Sequence, residues 1–344
     1  MNIILIAEKN HYRDWTGKTY YDILMYYKNT SINNVKIIYS DQCSNFTKNT
    51  FIKMSPNIIV FFDTDKLTIS DNFNYLFDLK IPIFYCGLDL FYLNSCLTCK
   101  NIGKCNGIIH FSKSTYLENT YKYMCPYKKI YHFNARFVNT LRFKNYSIQK
   151  KYDILIYGSR GGGACAINNI ENHEADIKYK NNYEKYYGKK LGPKHLFYPL
   201  RVKIENLLVK NSHKYKLKIL DNACIFNAPI ANENLSKLIN ESHLTLACCT
   251  RADIAMAKYF EIPASYSAIL GDIPSDFDDL FKGNIVEVTE WMSDEEILNI
   301  IDKSLEDKEK LWEMTKRLGD RVHSEYNLHE GTKNMDEVFN NIIN

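Results

Sequence analysis

The densest run of residues with chemical capability lies between Thr250 and Ser265. It follows an apolar segment typical of a β-strand, and Asp253 is a residue type that often caps a helix, so we expect a helix to begin near Asp253. Pro263 predicts the end of that helix, because proline disfavours helical geometry in the residue before it. A helix that begins beside the carboxyl edge of a sheet presents unpaired N–H groups to an anion, which makes this segment a candidate phosphate site.

Charged residues of the same segment favour this interpretation. Arg251 and Lys258 add positive charge for a phosphate, and Glu261 provides a carboxylate that suits a pair of sugar hydroxyls. The alternative is an ordinary strand–helix unit in which Asp253 caps the helix and the charged side chains are solvated.

A glycine-rich segment, Gly158-Ser159-Arg160-Gly161-Gly162-Gly163, follows the strand-like segment Tyr152–Tyr157. Small residues at the end of a strand let the backbone approach a phosphate or a sugar, and their N–H groups can face the ligand. The segment matches neither the dinucleotide fingerprint nor the P-loop pattern. A flexible surface turn is therefore the alternative.

Ionisable residues also cluster in the loop from Glu8 to Gly17, after the first apolar segment of the chain. His11 and Asp14 in this loop are candidates for a general base that takes a proton from a hydroxyl group. A loop histidine that is merely exposed is the alternative.

Two further patterns indicate metal chemistry instead. Asp63-Thr64-Asp65 ends the strand-like segment Ile58–Phe62, and carboxylates so placed can hold a divalent cation by oxygen ligands. A zinc site is the second possibility, although the second CxxC pair of a zinc ribbon is missing. Its candidate ligands are Cys96, Cys99, Cys105 and either Cys125 or His110.

Strand-like and helix-like segments alternate along the chain, which predicts parallel sheets covered by helices. The strand candidates are Asn2–Ala7, Val35–Tyr39, Asn57–Phe62 and Ile81–Tyr85 in the first half, and Tyr152–Tyr157, Leu217–Leu220, Leu244–Cys248 and Ala268–Leu270 in the second. We expect an α/β protein of two Rossmann-like domains that face each other across a cleft, with the ligand bound in that cleft.

The composition excludes several classes of protein. A chain of 344 residues with 45% hydrophobic and 24% charged residues is long enough for two packed domains and is not disordered. The net charge of +4 is too small and too dispersed to indicate a nucleic-acid partner. No apolar run approaches membrane-spanning length, and the N-terminus lacks the features of a signal peptide. We expect a cytoplasmic protein without a transmembrane segment, whose cysteines are thiols.

The region from Tyr152 to the C-terminus resembles the nucleotide-sugar-binding half of GT-B glycosyltransferases, in particular the CgeB-like and group 1 glycosyltransferase families. The segments that carry the resemblance are Ile154–Gly163, Tyr198–Arg201, Leu244–Cys248, Lys258–Ser265, Ala268–Asp272 and Phe281–Val286. In many retaining members of this group two glutamates eight positions apart hold the donor, and Asp253 and Glu261 have that spacing here. The first acid is Asp rather than Glu in this sequence.

The resemblance implies a GT-B fold, with residues 1–148 as the acceptor domain, residues 149–325 as the nucleotide-sugar domain, and residues 326–344 as a helix that returns to the N-terminal domain. It implies a glycosyltransferase without a cofactor or a metal, which moves a sugar from a nucleotide-diphosphate sugar to a glycan or protein acceptor. Glu261 is expected to bind the ribose hydroxyls, and Arg160, Arg251 or Lys258 the diphosphate.

The candidate site residues follow from these considerations together. His11, Asp14 and Asp253 are the candidate catalytic residues. The expected nucleotide-sugar site contains Gly158, Ser159, Arg160, Gly161, Arg201, Asn227, Ile230, Thr250, Arg251, Lys258 and Glu261.

Two other functions remain open at this point. The Glu-to-Asp change at Asp253 and the lack of a clear base favour a non-catalytic relative that binds a nucleotide sugar or a glycan. The aspartates Asp63 and Asp65 favour a metal-dependent glycosyltransferase of the GT-A type.

Overall fold

The computed structural model describes residues 1–7, 17–39, 46–62, 71–87, 102–110, 118, 122, 127–132, 137–158, 181, 184–185, 188, 198–220, 233–250 and 253–343. These residues form two compact units. The first contains the described residues up to Phe137 together with those from Leu328 onward, and the second contains those from Val138 to Asn327. The predicted domain boundary after residue 148 therefore lies inside the second unit.

The first unit is built on a six-stranded parallel sheet in the order β2-β1-β3-β4-β5-β6. Its strands are β1 (Asn2–Ala7), β2 (Asn34–Tyr39), β3 (Ile58–Phe62), β4 (Ile83–Gly87), β5 (Gly107–His110) and β6 (Lys129–His132). The first four match the predicted strands closely. Sequence reasoning missed β5 and β6, because each has only four residues and neither shows a long apolar run.

Both faces of this sheet are buried, as expected for a parallel sheet between helices. Side chains of β1 alternate between two cores, with Ile3 and Leu5 on one face and Ile4 and Ile6 on the other. The helices of this unit are α1 (Gly17–Thr30), α2 (Lys48–Met54) and, from the end of the chain, a helix at Leu328–Ile343. A short 3₁₀ helix spans Asp71–Leu76.

The helix at Leu328–Ile343 packs against α1 and belongs to the first unit. Its buried Asp336 accepts hydrogen bonds from the Tyr27 hydroxyl at 2.8 Å, the Ser31 hydroxyl at 2.5 Å, the Ile32 N–H at 3.1 Å and the Asn33 side-chain amide at 2.7 Å. Burial is the main reason that the pKa of Tyr27 is raised, and the Asp336 carboxylate adds to it. One carboxylate thus satisfies four donors where the helix meets α1.

The second unit contains a five-stranded parallel sheet in the order β11-β10-β9-β7-β8. Its strands are β7 (Tyr152–Ile156), β8 (Leu217–Ile219), β9 (Ser242–Leu246), β10 (Ala268–Gly271) and β11 (Val286–Glu287). Strand β8 lies on one side of β7 and β9 on the other, so the order reverses between β7 and β9. In open parallel sheets, ligands bind beyond the carboxyl ends of the strands at such a reversal.

Helices cover both faces of the second sheet. They are α3 (Pro199–Lys210), α4 (Glu233–Asn240), α5 (Lys258–Ala264), α6 (Asp278–Phe281), α7 (Asp294–Glu306) and α8 (Lys308–Glu325), so the C-terminal helix of the first unit is α9. Alternation along β7 again divides the side chains, with Ile154 and Ile156 in one core and Leu155 and Tyr157 in the other. Among the described residues, no helix has the length and the hydropathy to cross a membrane.

We predict that Asp336→Ala lowers the free energy of unfolding by about 3 kcal/mol, because it leaves buried donors around α1 without their acceptor. The matched control is Glu337→Ala, which removes the neighbouring exposed carboxylate and should change stability by less than about 0.5 kcal/mol. Chemical denaturation measures both. Equal effects of the two substitutions would contradict the proposed importance of the Asp336 cluster.

Candidate functional site

The candidate site begins where β7 ends, at the strand reversal of the second sheet. Gly158 has a φ of +98°, and a Cβ at this position would lie 2.0 Å from Lys258 Nζ and 2.9 Å from an Arg201 guanidinium nitrogen. A side chain at this position would also strain the backbone. Glycine is therefore what lets two cationic side chains lie against the end of β7.

Lys258 is the first residue of α5, and its side chain reaches across the reversal to β7. Its ammonium donates a hydrogen bond to the Tyr157 carbonyl and lies 4.2 Å from the centre of the Tyr157 ring. Burial, followed by the nearby Arg201 charge, holds the pKa of Lys258 well below its usual range, while Glu261 opposes the shift. A bound anion would favour the charged form of this lysine.

Arg201 lies in the first turn of α3. Pro199 is the first residue of this helix, a position whose N–H would have no acceptor within the helix, so proline is favourable there. The Arg201 side chain is buried, with the guanidinium carbon 5.4 Å from the centre of the Tyr198 ring. The aromatic ring fixes the guanidinium by a cation–π contact. Two cations from separate helices thus meet beside Gly158.

Glu261 lies one turn after Lys258 on α5 and is 9% exposed. The Tyr157 hydroxyl donates to Glu261 Oε2 at 3.5 Å. Burial raises the pKa of Tyr157, and the Glu261 carboxylate raises it further, so this tyrosine is a hydrogen-bond donor. The cluster of Gly158, Arg201, Lys258 and Glu261, here called the switch-point cluster, joins two cations and a carboxylate at one sheet edge.

The predicted start and end of the helix in this region are wrong. Helix α5 begins at Lys258, Ala257 occupies the cap position, and Pro263 lies inside its last turn, where the helix continues to Ala264. Asp253 instead has a left-handed backbone with a φ of +57°, and its carboxylate accepts from the Ser275 N–H at 3.3 Å. Asp253 therefore does not cap α5; it lies in the loop between β9 and α5, and its carboxylate meets the first residue of a 3₁₀ helix at Ser275–Phe277.

A half-buried carboxylate that the sequence did not single out holds this loop. Asp272 follows β10 and accepts hydrogen bonds from the Cys249 N–H and the Tyr259 hydroxyl, each at 2.8 Å. Burial raises the pKa of Asp272, and these hydrogen bonds oppose the rise. The predicted site residue Thr250 is buried next to Cys249, and its carbonyl accepts from the Asp253 N–H at 2.8 Å.

The structure therefore brings four of the predicted site residues together in the switch-point cluster and places Thr250 and Asp253 in the adjoining loop. The other predicted site residues lie outside the described part of the chain: His11, Asp14, Ser159, Arg160, Gly161, Asn227, Ile230 and Arg251.

The first unit has another polar cluster, of which the sequence analysis named only His110, as a possible zinc ligand. His110 and His132 end the paired strands β5 and β6, and their rings lie 5.7 Å apart. His132 Nε2 lies 3.6 Å from Glu118, whose pKa is lowered mainly by Lys122 and further by the two histidines. The detectable signal was that two neighbouring strands both end in histidine.

The predicted metal patterns find no support in the described residues. Asp63 and Asp65 lie outside them, as do Cys96, Cys99 and Cys125, while Cys105 is a buried thiol. Within the described part of the chain, no group of three or more His, Cys, Asp or Glu side chains is arranged to hold a metal ion.

Comparison with known proteins identifies the architecture. Sucrose-phosphate synthase from Thermosynechococcus elongatus superposes with a TM-score of 0.61 at 9% sequence identity, over 99% of each chain. HepE from Anabaena, solved in complex with UDP and glucose, gives 0.58 at 11% identity, over 99% of this chain and 100% of HepE. A glycosyltransferase from Rickettsia africae gives 0.54 at 12% identity, over 99% of this chain and 98% of the other. The chain has the GT-B fold.

Residues 201–336 match the protein family described as glycosyl transferase-like, a range that includes most of the switch-point cluster. No curated protein sequence matches the chain. These comparisons confirm the predicted resemblance to GT-B glycosyltransferases and the GT-B fold. They do not favour the GT-A alternative or the non-catalytic one.

We predict that Gly158→Ala is more destabilising than Gly283→Ala. Both glycines have positive φ angles, +98° and +71°, but a Cβ at Gly283 meets nothing within 4 Å. Gly283→Ala should therefore cost about 1 kcal/mol of backbone strain. Gly158→Ala should cost at least about 2 kcal/mol, because Lys258 and Arg201 must also move. Equal losses in urea denaturation would contradict the close approach at Gly158.

Proposed function

We propose that the protein is a glycosyltransferase that moves a sugar from a nucleotide-diphosphate sugar to a glycan or other hydroxyl-bearing acceptor, without a metal ion. The observation that carries this proposal is the switch-point cluster. The buried Arg201, the half-buried Lys258 and a carboxylate meet at the carboxyl edge of a parallel sheet, inside the region that matches the glycosyl transferase-like family.

The two cations suit the departure of a nucleoside diphosphate. In the reaction, the bond between the anomeric carbon and the diphosphate oxygen breaks, and a bond to the acceptor oxygen forms. Negative charge then grows on the diphosphate, and cationic donors already held in place stabilise it. Lys258 and Arg201 are held by the Tyr157 carbonyl and the Tyr198 ring, so little reorganisation is needed. Arg160 and Arg251 are proposed to add to this charge.

Glu261 is proposed to accept hydrogen bonds from the two ribose hydroxyls of the donor nucleotide. A carboxylate has two acceptor oxygens, which match a pair of neighbouring hydroxyl groups. Lys258 and Glu261 lie one turn apart on α5, so a nucleotide that spans them presents its diphosphate to the lysine and its ribose to the glutamate.

The acceptor hydroxyl must lose its proton in the same reaction. His11 and Asp14 remain the proposed bases if the enzyme supplies one, and Asp253 the proposed contact of the donor sugar.

Nucleotide release from a panel of UDP-, GDP- and dTDP-sugars tests the function. HepE, solved with UDP-glucose, makes UDP-sugars the first donors to try. We expect release with at least one donor, unchanged when EDTA is added, and at least about a hundredfold slower release in Lys258→Met. Lys151→Met, which removes an exposed lysine paired with Glu241, is the control and should keep normal turnover. The proposal fails if no donor is turned over and no nucleotide raises the melting temperature.

The role of Glu261 has its own test. We expect the protein to bind UDP at least about tenfold more tightly than 2′-deoxy-UDP, because the carboxylate bonds a hydroxyl that the second ligand lacks. In Glu261→Ala this preference should fall below about twofold, while Glu287→Ala, at an exposed carboxylate of β11, should keep it. Calorimetric titration measures all three proteins. If Glu261→Ala still binds UDP more tightly than 2′-deoxy-UDP, Glu261 does not bind the ribose hydroxyl.

A further inference from the structure

The second unit contains a cavity of about 200 Å³ at the opposite edge of its sheet from the switch-point cluster. It lies beside the amino ends of β9 and β10 and the first turns of α8. Its lining residues are Lys150, His243, Tyr266, Lys308, Leu311, Trp312 and Thr315. The proposed transfer reaction uses none of them.

Lys150 places a largely enclosed ammonium in this cavity. The ammonium donates hydrogen bonds to the Ser242 carbonyl at 2.8 Å and the Tyr266 carbonyl at 2.7 Å. Burial lowers the pKa of Lys150 to about 8. Within the described part of the chain, no carboxylate lies at salt-bridge distance from it. An anion in the cavity would supply the missing counter-charge and an acceptor for the third N–H.

Other cationic groups face the same space. Burial, and then the charges of Lys308 and Lys150, lower the pKa of His243, with Asp153 acting in the opposite direction. Lys308 begins α8 and is exposed, so its flexible side chain can reach an anion at the mouth of the cavity. The lining therefore carries two lysines and a histidine, and a bound anion would favour the charged forms of Lys150 and His243.

Aromatic rings form the remaining wall. Tyr266 follows the end of α5 with a φ of +53°, a position where helices usually have glycine. Its ring lies 6.1 Å from the Trp312 ring and 5.6 Å from the His323 ring, and its hydroxyl donates to Asp320 at 2.6 Å. Gly319 makes room for this ring, since a Cβ there would lie 3.1 Å from it. A strained tyrosine is thus held firmly beside a tryptophan that is 41% exposed.

We propose that this cavity binds a single ring that bears one phosphate group, of the class of an aryl phosphate or a monosaccharide phosphate. Three basic side chains match the dianion of a phosphate monoester, and Tyr266 and Trp312 offer faces for a ring. The volume is below that of sites for drug-sized ligands, so one ring with one phosphate fills it. This second ligand site is separate from the proposed donor site.

Calorimetric titration of the full chain with phenyl phosphate and with glucose 6-phosphate tests the proposal and separates the two ring types. We expect at least one of them to bind with a dissociation constant below about 1 mM and with one site per chain. Inorganic phosphate, benzyl alcohol and glucose should each bind at least about tenfold more weakly, because each lacks the ring or the phosphate. Saturating UDP should leave the measured affinity unchanged.

Variants locate the site. Lys150→Met should weaken binding of the preferred probe at least about tenfold, and Lys151→Met, at the adjacent exposed lysine, less than about twofold. Lys308→Met, at the exposed start of α8, is the second variant if Lys150→Met unfolds, and should weaken binding about threefold. Trp312→Ala should weaken the phosphate esters but leave inorganic phosphate unchanged.

Several results would overturn the proposal. They are no binding of either ester, displacement of the probe by UDP, equal weakening by Lys150→Met and Lys151→Met, or inorganic phosphate binding as tightly as the esters. None of these results depends on sugar transfer, so the proposal for the donor site and the proposal for this cavity are tested independently.

Discussion

The half-buried ammonium of Lys258, at the carboxyl edge of the second sheet, is the interaction on which the proposed donor site depends. Lys258 crosses the strand reversal to reach the Tyr157 carbonyl, and this contact needs glycine at position 158. Burial of a charged group costs free energy unless the group is paired. Groups whose pKa is perturbed in this way are frequent at functional sites. The pKa of Lys258 is therefore depressed in the free protein, and a diphosphate is the kind of ligand that would reverse the shift.

The supports around this ammonium come from every neighbouring element. Helix α3 brings Arg201, and the half-buried Asp272, which follows β10, holds both the loop after β9 and the Tyr259 hydroxyl of α5. Because these supports are hydrogen bonds and packed rings in the sheet interior, the cations are held in place before any ligand arrives. The fold thus preorganises these side chains, and ligand binding need not order them.

Helix α5 links two sites of different character on the second unit. Its first residue, Lys258, belongs to the switch-point cluster, and the residue after its C-terminal turn, Tyr266, lines the cavity that holds Lys150. Both sites have a lysine that burial drives toward the neutral form, and both have aromatic rings beside it. A lysine whose pKa is lowered by burial, and whose charged form an anion would favour, is thus found at each of the two opposite edges of one sheet.

The sequence by itself determined the fold class and eight strands, because apolar periodicity and local residue types are written along the chain. Its family resemblance also led to Gly158, Arg201, Lys258 and Glu261 as candidate residues of one site, and the structure places these four side by side. The sequence did not determine where α5 begins, since the left-handed turn at Asp253 and the proline tolerated within the last turn of α5 depend on tertiary contacts. It also missed β5, β6, β11 and the roles of Asp272 and Lys150. Short strands form, and buried polar side chains find their partners, only when segments distant in the sequence pack together. Only the tertiary structure shows this packing.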